Sequence, residues 1–251
     1  MSQEENTQQK QMTLIATIIT SGVVFLSSSV VNVALPVIGR RLETNLSELQ
    51  WVVDGYLLTL SALLILGGAL GDRLGRRRMC LVGLGGFGLT MIGAGLAPNT
   101  DWLIAMRVIQ GISGALMVPE SLALIRIVYT DPEQRGRAIG TWSGWTGIAT
   151  VIGPLVGGAM VDQFSWRWAF FINLPFILVA IWMMFKFVPE SRREDSESGL
   201  DWLGAATVTL TLAGVTYGLI EGPVIGWSAP SVLIGLIGGV VALIAFPLVE
   251  S

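Results

Sequence analysis

The sequence predicts an all-α membrane protein of eight spans, and three observations lead there. The 251 residues are 52% hydrophobic and only 13% charged, against roughly 25% charged in a soluble domain. Mean hydropathy is +0.68. The 31 glycines and 9 tryptophans suit helices that pack through small residues and place indoles at the headgroup level. Such a composition excludes a soluble enzyme. With 15 Lys+Arg against 18 Asp+Glu and a net charge of -3, no basic stripe exists for phosphates, so no nucleic acid partner is expected. Cys80 is the single cysteine and histidine is absent, so no metal or cofactor is expected and proton chemistry falls to carboxylates.

A bilayer-spanning helix needs about 20 mostly apolar residues, and charge-free stretches locate most of them. Spans 1, 3 and 5 lie in the 29, 22 and 24 uncharged residues between Lys10 and Arg40, Arg78 and Asp101, and Arg137 and Asp162. Spans 6, 7 and 8 lie between Arg167 and Lys186, Asp201 and Glu221, and Glu221 and Glu250. Span 2 is interrupted by Asp54, and span 4 by Arg107 and Glu120. Residues 1–12 read as a polar tail, 13–188 as a six-helix bundle, 189–201 as a charged, Ser-rich linker, and 202–251 as a helix pair. Trp51, Trp102, Trp166, Trp168, Trp202 and Trp227 fall at proposed span ends and are expected as interfacial anchors.

Cytoplasmic loops are enriched in Lys and Arg, which sets the orientation. With a cytoplasmic N-terminus, Lys10, Arg73, Arg76, Arg77, Arg78, Arg126, Arg135, Arg137, Lys186, Arg192 and Arg193 lie inside, and only Arg40, Arg41 and Arg167 outside. Eight spans then return the C-terminus to the cytoplasm. The apolar run after the tail is too long for a signal-peptide core, so span 1 is expected to remain.

Three motifs stand out. Residues 68–78, GALGDRLGRRR, combine glycines that permit a tight turn, an Asp72 able to cap or accept hydrogen bonds, and arginines that reach phosphates or carboxylates. Gly68, Gly71, Asp72, Arg73, Gly75, Arg76 and Arg77 resemble the cytoplasmic loop signature of the major facilitator superfamily, which implies a gating latch. In span 4, RVIQG puts Arg107 and Gly111 one turn apart, similar to that family's RxxQG signature, and a buried Arg needs an acceptor or a wet cavity. Span 5 carries Gly140, Gly144, Gly153, Pro154, Gly157 and Gly158, with Ala149 in place of a glycine. This resembles the antiporter signature GxxxGPxxGG, in which small residues allow close packing and the proline invites a kink.

Further stretches, SSSVVNVALP with Asn32, WVVDGYLL and WRWAFFINLP, together with two spans after the sixth, resemble the fourteen-span drug:proton antiporter branch. The resemblance implies a six-helix half-bundle, proton-coupled export of lipophilic or cationic small molecules across a bacterial plasma membrane, and a second half beyond the chain. One departure matters. The family has an Asp where this chain has Ser27, and serine does not ionise in the physiological range. Asp54 and Glu120 are the candidates to replace it. Ser47 and Gln50 have capping-box spacing, which would put Asp54 about 10 Å down span 2, with Arg107 as its modulator. Glu120 follows Pro119, and thirteen residues of helix, about 220° around the axis, keep it from pairing with Arg107. Ser27, Asn32, Asp54, Arg107 and Glu120 are thus expected around the coupling and substrate cavity, with Arg107 and the span 5 glycines bordering an open face. Export of one metabolite or lipid by the same mechanism, or a non-transporting scaffold or truncated fragment, would fit the same residues. No nucleophile, base and orienting group can be assembled, so no catalysis is expected.

Overall fold

The computed structural model describes residues 3–192 and 202–249, and every described element is helical. In chain order they are α1 (Gln3–Leu42), α2 (Leu46–Leu74), α3 (Arg76–Gly95), α4 (Thr100–Ala115) and α5 (Val118–Val128). Then come α6 (Pro132–Gln163), α7 (Trp168–Phe171), α8 (Leu174–Phe187), α9 (Trp202–Ile225) and α10 (Pro230–Val249). Seven helices among the described residues are long and apolar enough to cross a membrane. The eighth expected span is α10, whose apolar part Pro230–Phe246 is shorter.

Several boundaries differ from the sequence reading. α1 runs back through most of the polar tail to Gln3, so its 40 residues extend about 60 Å at 1.5 Å per residue. α2 starts from Asn45 and not from Ser47. The Asn45 side chain accepts from the Glu48 amide at 2.9 Å, and the Glu48 carboxylate accepts from the Asn45 amide at 3.0 Å. That reciprocal box satisfies two amides the first turn would otherwise leave unpaired. Asn99 caps α4 and Asp131 caps α6 without the return bond, each accepting an amide at 2.9 Å, with Pro132 in the first turn where its missing N–H costs nothing.

Spans 4 and 6 are each two helices. Span 4 breaks between Ala115 and Val118, where Leu116 and Met117 donate to Ser113 and Gly114 in tighter turns. Pro119 has no N–H to give the Ala115 carbonyl, and that carbonyl abuts Gly67 on α2, where a Cβ would lie 2.1 Å from it. Span 6 breaks at Ile172 and Asn173, ahead of Pro175.

The bundle closes through α2 on α4, α1 on α6, and α3 on α4, with α8 filling the back of α1 and α3. Its interior holds Val24, Val30, Ile38, Tyr56, Leu84, Phe87, Phe170 and Met184. Buried hydroxyls bond back to their own helix, as Thr20 does to Ala16 and Ser121 to Met117, which a segment without water requires. Trp166 is a core residue at 4% exposure. It lies under the Arg167 guanidinium, which donates to the Gly95 and Ala97 carbonyls at 2.9 Å. Trp102, Trp168 and Trp227 are exposed, and the Trp202 side chain lies outside the described residues.

α9 and α10 form a hairpin that turns at Gly226, whose φ of +98° suits glycine, and α9 packs on α2. Gly214 meets the Gly235 carbonyl and Gly239 backbone directly. Of the linker, Pro189 to Arg192 are described and 193–201 lie outside the described residues.

Candidate functional site

The small residues that bring α2 and α4 together also set the position of Arg107. Gly111 sits against the Tyr56 carbonyl and the Thr59 hydroxyl, where a Cβ would approach within 2.4 Å and 1.9 Å. The Thr59 hydroxyl donates across the contact to the Val108 carbonyl at 2.9 Å. One turn before Gly111, Arg107 is 0% exposed. It donates from Nε to the Val52 carbonyl at 2.9 Å and from Nη1 to Gln110 at 2.6 Å, with Ser27 at 3.5 Å. Its guanidinium lies 4.1 Å from the Tyr56 ring centroid, a cation–π distance. Nη2 has no partner.

No carboxylate pairs with Arg107 among the described residues. Ser27 stands where a counter-charge would fit, so Ser27→Asp is expected to make a buried ion pair without moving the helices. Melting of the purified protein should rise by about 3 °C per kcal/mol gained for a chain of this size. An unchanged or lowered Tm would show that Arg107 is already compensated.

The structure separates Asp54 from Arg107. Asp54 lines a lateral cavity between α2 and α9, while Arg107 is held inside the bundle by Val52, Gln110 and Ser27. Asn32 is exposed on α1. The expected border between Arg107 and an open face is therefore absent, because Arg107 is completely enclosed.

Glu120 belongs to a second buried centre at the other end of span 4. It is 1% exposed, and neither carboxylate oxygen has a hydrogen-bond partner. The carboxylate packs on Gly71, whose absent Cβ would lie 2.1 Å from it. Gly68, one turn earlier, faces Pro119 at 3.5 Å. These two glycines are helical and make room for α5. The tight turn belongs to Gly75 alone, at φ +108°. Cys80 lies beside the same centre with the Thr20 and Ser121 hydroxyls.

The arginine loop encloses this centre without touching Glu120. Asp72 accepts from Arg76 at 2.6 and 2.8 Å across the Gly75 turn, and Arg76 also reaches the Ala123 carbonyl at 3.5 Å. Arg77 and Arg78 stand 3.8 and 3.6 Å from Glu190 at the start of the linker. Glu190 also accepts the Arg77 amide at 3.1 Å, the Arg77 side chain donates to the Val188 carbonyl at 3.1 Å, and the Arg76 amide donates to the Ser191 carbonyl at 2.9 Å. Arg73 is exposed. Glu190 was missed in the sequence, although an acid at the head of a linker beside an arginine loop was a usable signal. Glu221, read only as a boundary, accepts from Ser47 at 2.6 Å and Trp51 at 3.0 Å and ties α9 to α2.

The span 5 glycines divide into two sets. Gly153 and Gly157 receive Ser29 and Val30 of α1, where a Cβ would stand 1.9 and 2.8 Å away, and a Cβ on Gly158 would lie 3.6 Å from Val33. A Cβ at Gly140 or Gly144 would meet nothing within 4 Å, so the close packing expected of that pair is not made among the described residues. Pro154 is internal to α6, between the contacts.

A family model of the Major Facilitator Superfamily matches residues 17–250. The chain is 37% identical over 239 residues to the tetracenomycin C resistance and export protein of Streptomyces glaucescens, covering 95% of this chain and 44% of that protein. It is 36% identical over 225 residues to the multidrug resistance protein Stp of Mycobacterium tuberculosis, covering 90% and 42%. It therefore spans less than half the length of either relative. Among solved structures, a peptide transporter POT in complex with sulfate matches with a TM-score of 0.69 at 14% identity, over 94% of this chain and 51% of that one, a likeness of fold alone.

Proposed function

Because the chain belongs to the major facilitator superfamily, we propose that it forms the N-terminal six-helix unit and linking hairpin of a secondary active exporter. That exporter lies in a bacterial plasma membrane and moves drug-like small molecules outward in exchange for protons. Its relatives include drug resistance and export proteins, which supports the substrate class. The positive-inside bias supports cytoplasmic termini. The general design of this superfamily, two halves rocking about a midplane site, gives the open Gly140 and Gly144 face a use: it receives the second half.

The observation that carries proton coupling is Glu120. An ionised carboxylate sealed from water with no donor is strongly disfavoured, so the closed arrangement stores Glu120 with its proton. While Asp72 holds Arg76, Glu120 remains sealed. Once that pair parts, Arg76 can turn to Glu120, stabilise its anion and release the proton to the cytoplasm. In this reading the loop is the latch and Glu120 takes the role that Ser27 cannot fill. Arg107 braces α1, α2 and α4 above the moving part.

The test is efflux of a labelled cationic dye by the full-length exporter in membrane vesicles, with and without a protonophore. Export should collapse with the proton gradient, and export indifferent to it would sink the reading. Asp72→Asn should change the transport rate by about tenfold, the loss of a charge-assisted bond of roughly 1.4 kcal/mol, with little change in membrane level. Loss of insertion instead would make the loop a folding element and end the latch idea.

A further inference from the structure

Away from the Arg107 and Glu120 centres, charge also gathers at the outer ends of α1 and α6. The charge bias puts only Arg40, Arg41 and Arg167 on that side, and two of these three line a single cavity of about 380 Å³. Arg41 comes from the last turn of α1, Asp162 from the last turn of α6, and Arg167 from the segment that enters α7. Val37, Val161 and Phe164 supply apolar wall.

These charges share a cavity without pairing. Arg167 is held in place, on the Trp166 ring at 4.5 Å and with Nη1 donating to the Gly95 and Ala97 carbonyls, which occupies one of its three nitrogens. Arg41 is exposed, and among the described residues neither its side chain nor that of Asp162 forms a hydrogen bond or an ion pair. Asp162 is also at the wrong end of its helix. A C-terminus carries partial negative charge and favours a cation, yet the last turn of α6 holds no basic residue.

We propose that this cavity seats the headgroup of a phosphatidylethanolamine from the outer leaflet. Arg41 and Arg167 take the phosphodiester, which guanidinium forks suit. Asp162 and the carbonyl end of α6 take the ammonium, and Val37, Val161 and Phe164 receive the glycerol end of the acyl chains. Cations and an acid held apart in one cavity match a ligand whose own charges are held apart. An anionic lipid without an amine leaves Asp162 unpaired. The place selects a lipid over a soluble zwitterion: these are the ends of spans, where headgroups lie, and the Phe164 and Trp168 rings stand exposed there, 6.0 Å apart.

The test needs no transport, so its outcome is separate from that of the export reading. The protein is held in nanodiscs, and Ser165→Cys on the cavity wall is labelled with a water-soluble maleimide. The native Cys80 is fully buried. Phe164→Cys, exposed on the same wall, is the second reporter should Ser165→Cys fold poorly. Exchanging phosphatidylglycerol for phosphatidylethanolamine should slow labelling about fivefold, as charge-assisted bonds to the headgroup hold it over the thiol. Arg41→Gln and Asp162→Asn should each remove that protection, and soluble glycerophosphoethanolamine should give none. Equal labelling in the two lipids at both reporters, protection that survives Arg41→Gln or Asp162→Asn, or equal protection by the soluble headgroup overturns the proposal.

Discussion

Glu120→Gln is expected to reduce proton-driven efflux at least 100-fold while leaving the protein folded and in the membrane. Glutamine keeps the volume and the neutral charge of the protonated acid, so the packing on Gly71 is undisturbed and only the exchangeable proton is lost. A hundredfold is about 2.7 kcal/mol of activation free energy. Glu120→Asp, which keeps the acid on a shorter stem, should retain part of the activity. Gly71→Ala makes the complementary perturbation: its Cβ would press on a flexible carboxylate and not on backbone, so the chain should fold but hold Glu120 less tightly sealed. Undiminished gradient-driven efflux in Glu120→Gln would remove Glu120 from the mechanism.

Gly111→Val is expected to be severely damaging to the fold. The new side chain would start 2.4 Å from the Tyr56 carbonyl and 2.9 Å from the Leu60 amide, and neither backbone atom can retreat. α2 and α4 would have to separate, breaking the bonds from Arg107 to Val52 and from Thr59 to Val108. The buried guanidinium then loses its fixed acceptor. A loss above about 4 kcal/mol is in the range such buried disruptions reach, and it would show as aggregation on size-exclusion chromatography of the solubilised protein. The same substitution at Gly140 or Gly144, where nothing lies within 4 Å, should leave the elution profile unchanged. If Gly111→Val runs as wild type, the α2–α4 contact is looser than described.

Much of this architecture was legible because charge is informative in a chain that is otherwise apolar. Charge-free stretches located most of the spans, and glycine spacing marked Gly153 and Gly157 as close-contact positions, though not that α1 would fill them. The direction in which Asp54 projects was not legible. A membrane helix is apolar on its lipid and interior faces alike, so periodicity does not say which side is inward. The interruption of span 4 was partly legible, since Pro119 disturbs the backbone just before Glu120, whereas that of span 6 was hidden: a proline such as Pro175 is tolerated in a span when neighbours satisfy the freed groups, and only the tertiary contact shows that they do. Pairs such as Ser47 with Glu221 join residues 174 positions apart, beyond any local pattern. The cap at α2 was misplaced by two residues because two overlapping tetrads, NLSE and SELQ, offer similar chemistry. The one with a carboxylate at its third helical position prevailed.

The interruption of span 4 has a mechanical consequence. A continuous helix would couple Arg107 and Glu120 as one rigid rod, so that any tilt felt at one charge would be felt at the other. With the ladder broken at Leu116 and Met117, the span is two short levers on a single joint. The upper lever is pinned to α2 by Arg107 and Thr59, whereas the lower lever meets α2 at Gly68 and Gly71 and is held by α1 and α6 through Leu124 and Ile125. The arginine loop touches only the lower lever, through Arg76 and the Ala123 carbonyl, so under the proposed mechanism a movement of the loop would reach that lever first, and the joint spares the Arg107 end from following it rigidly.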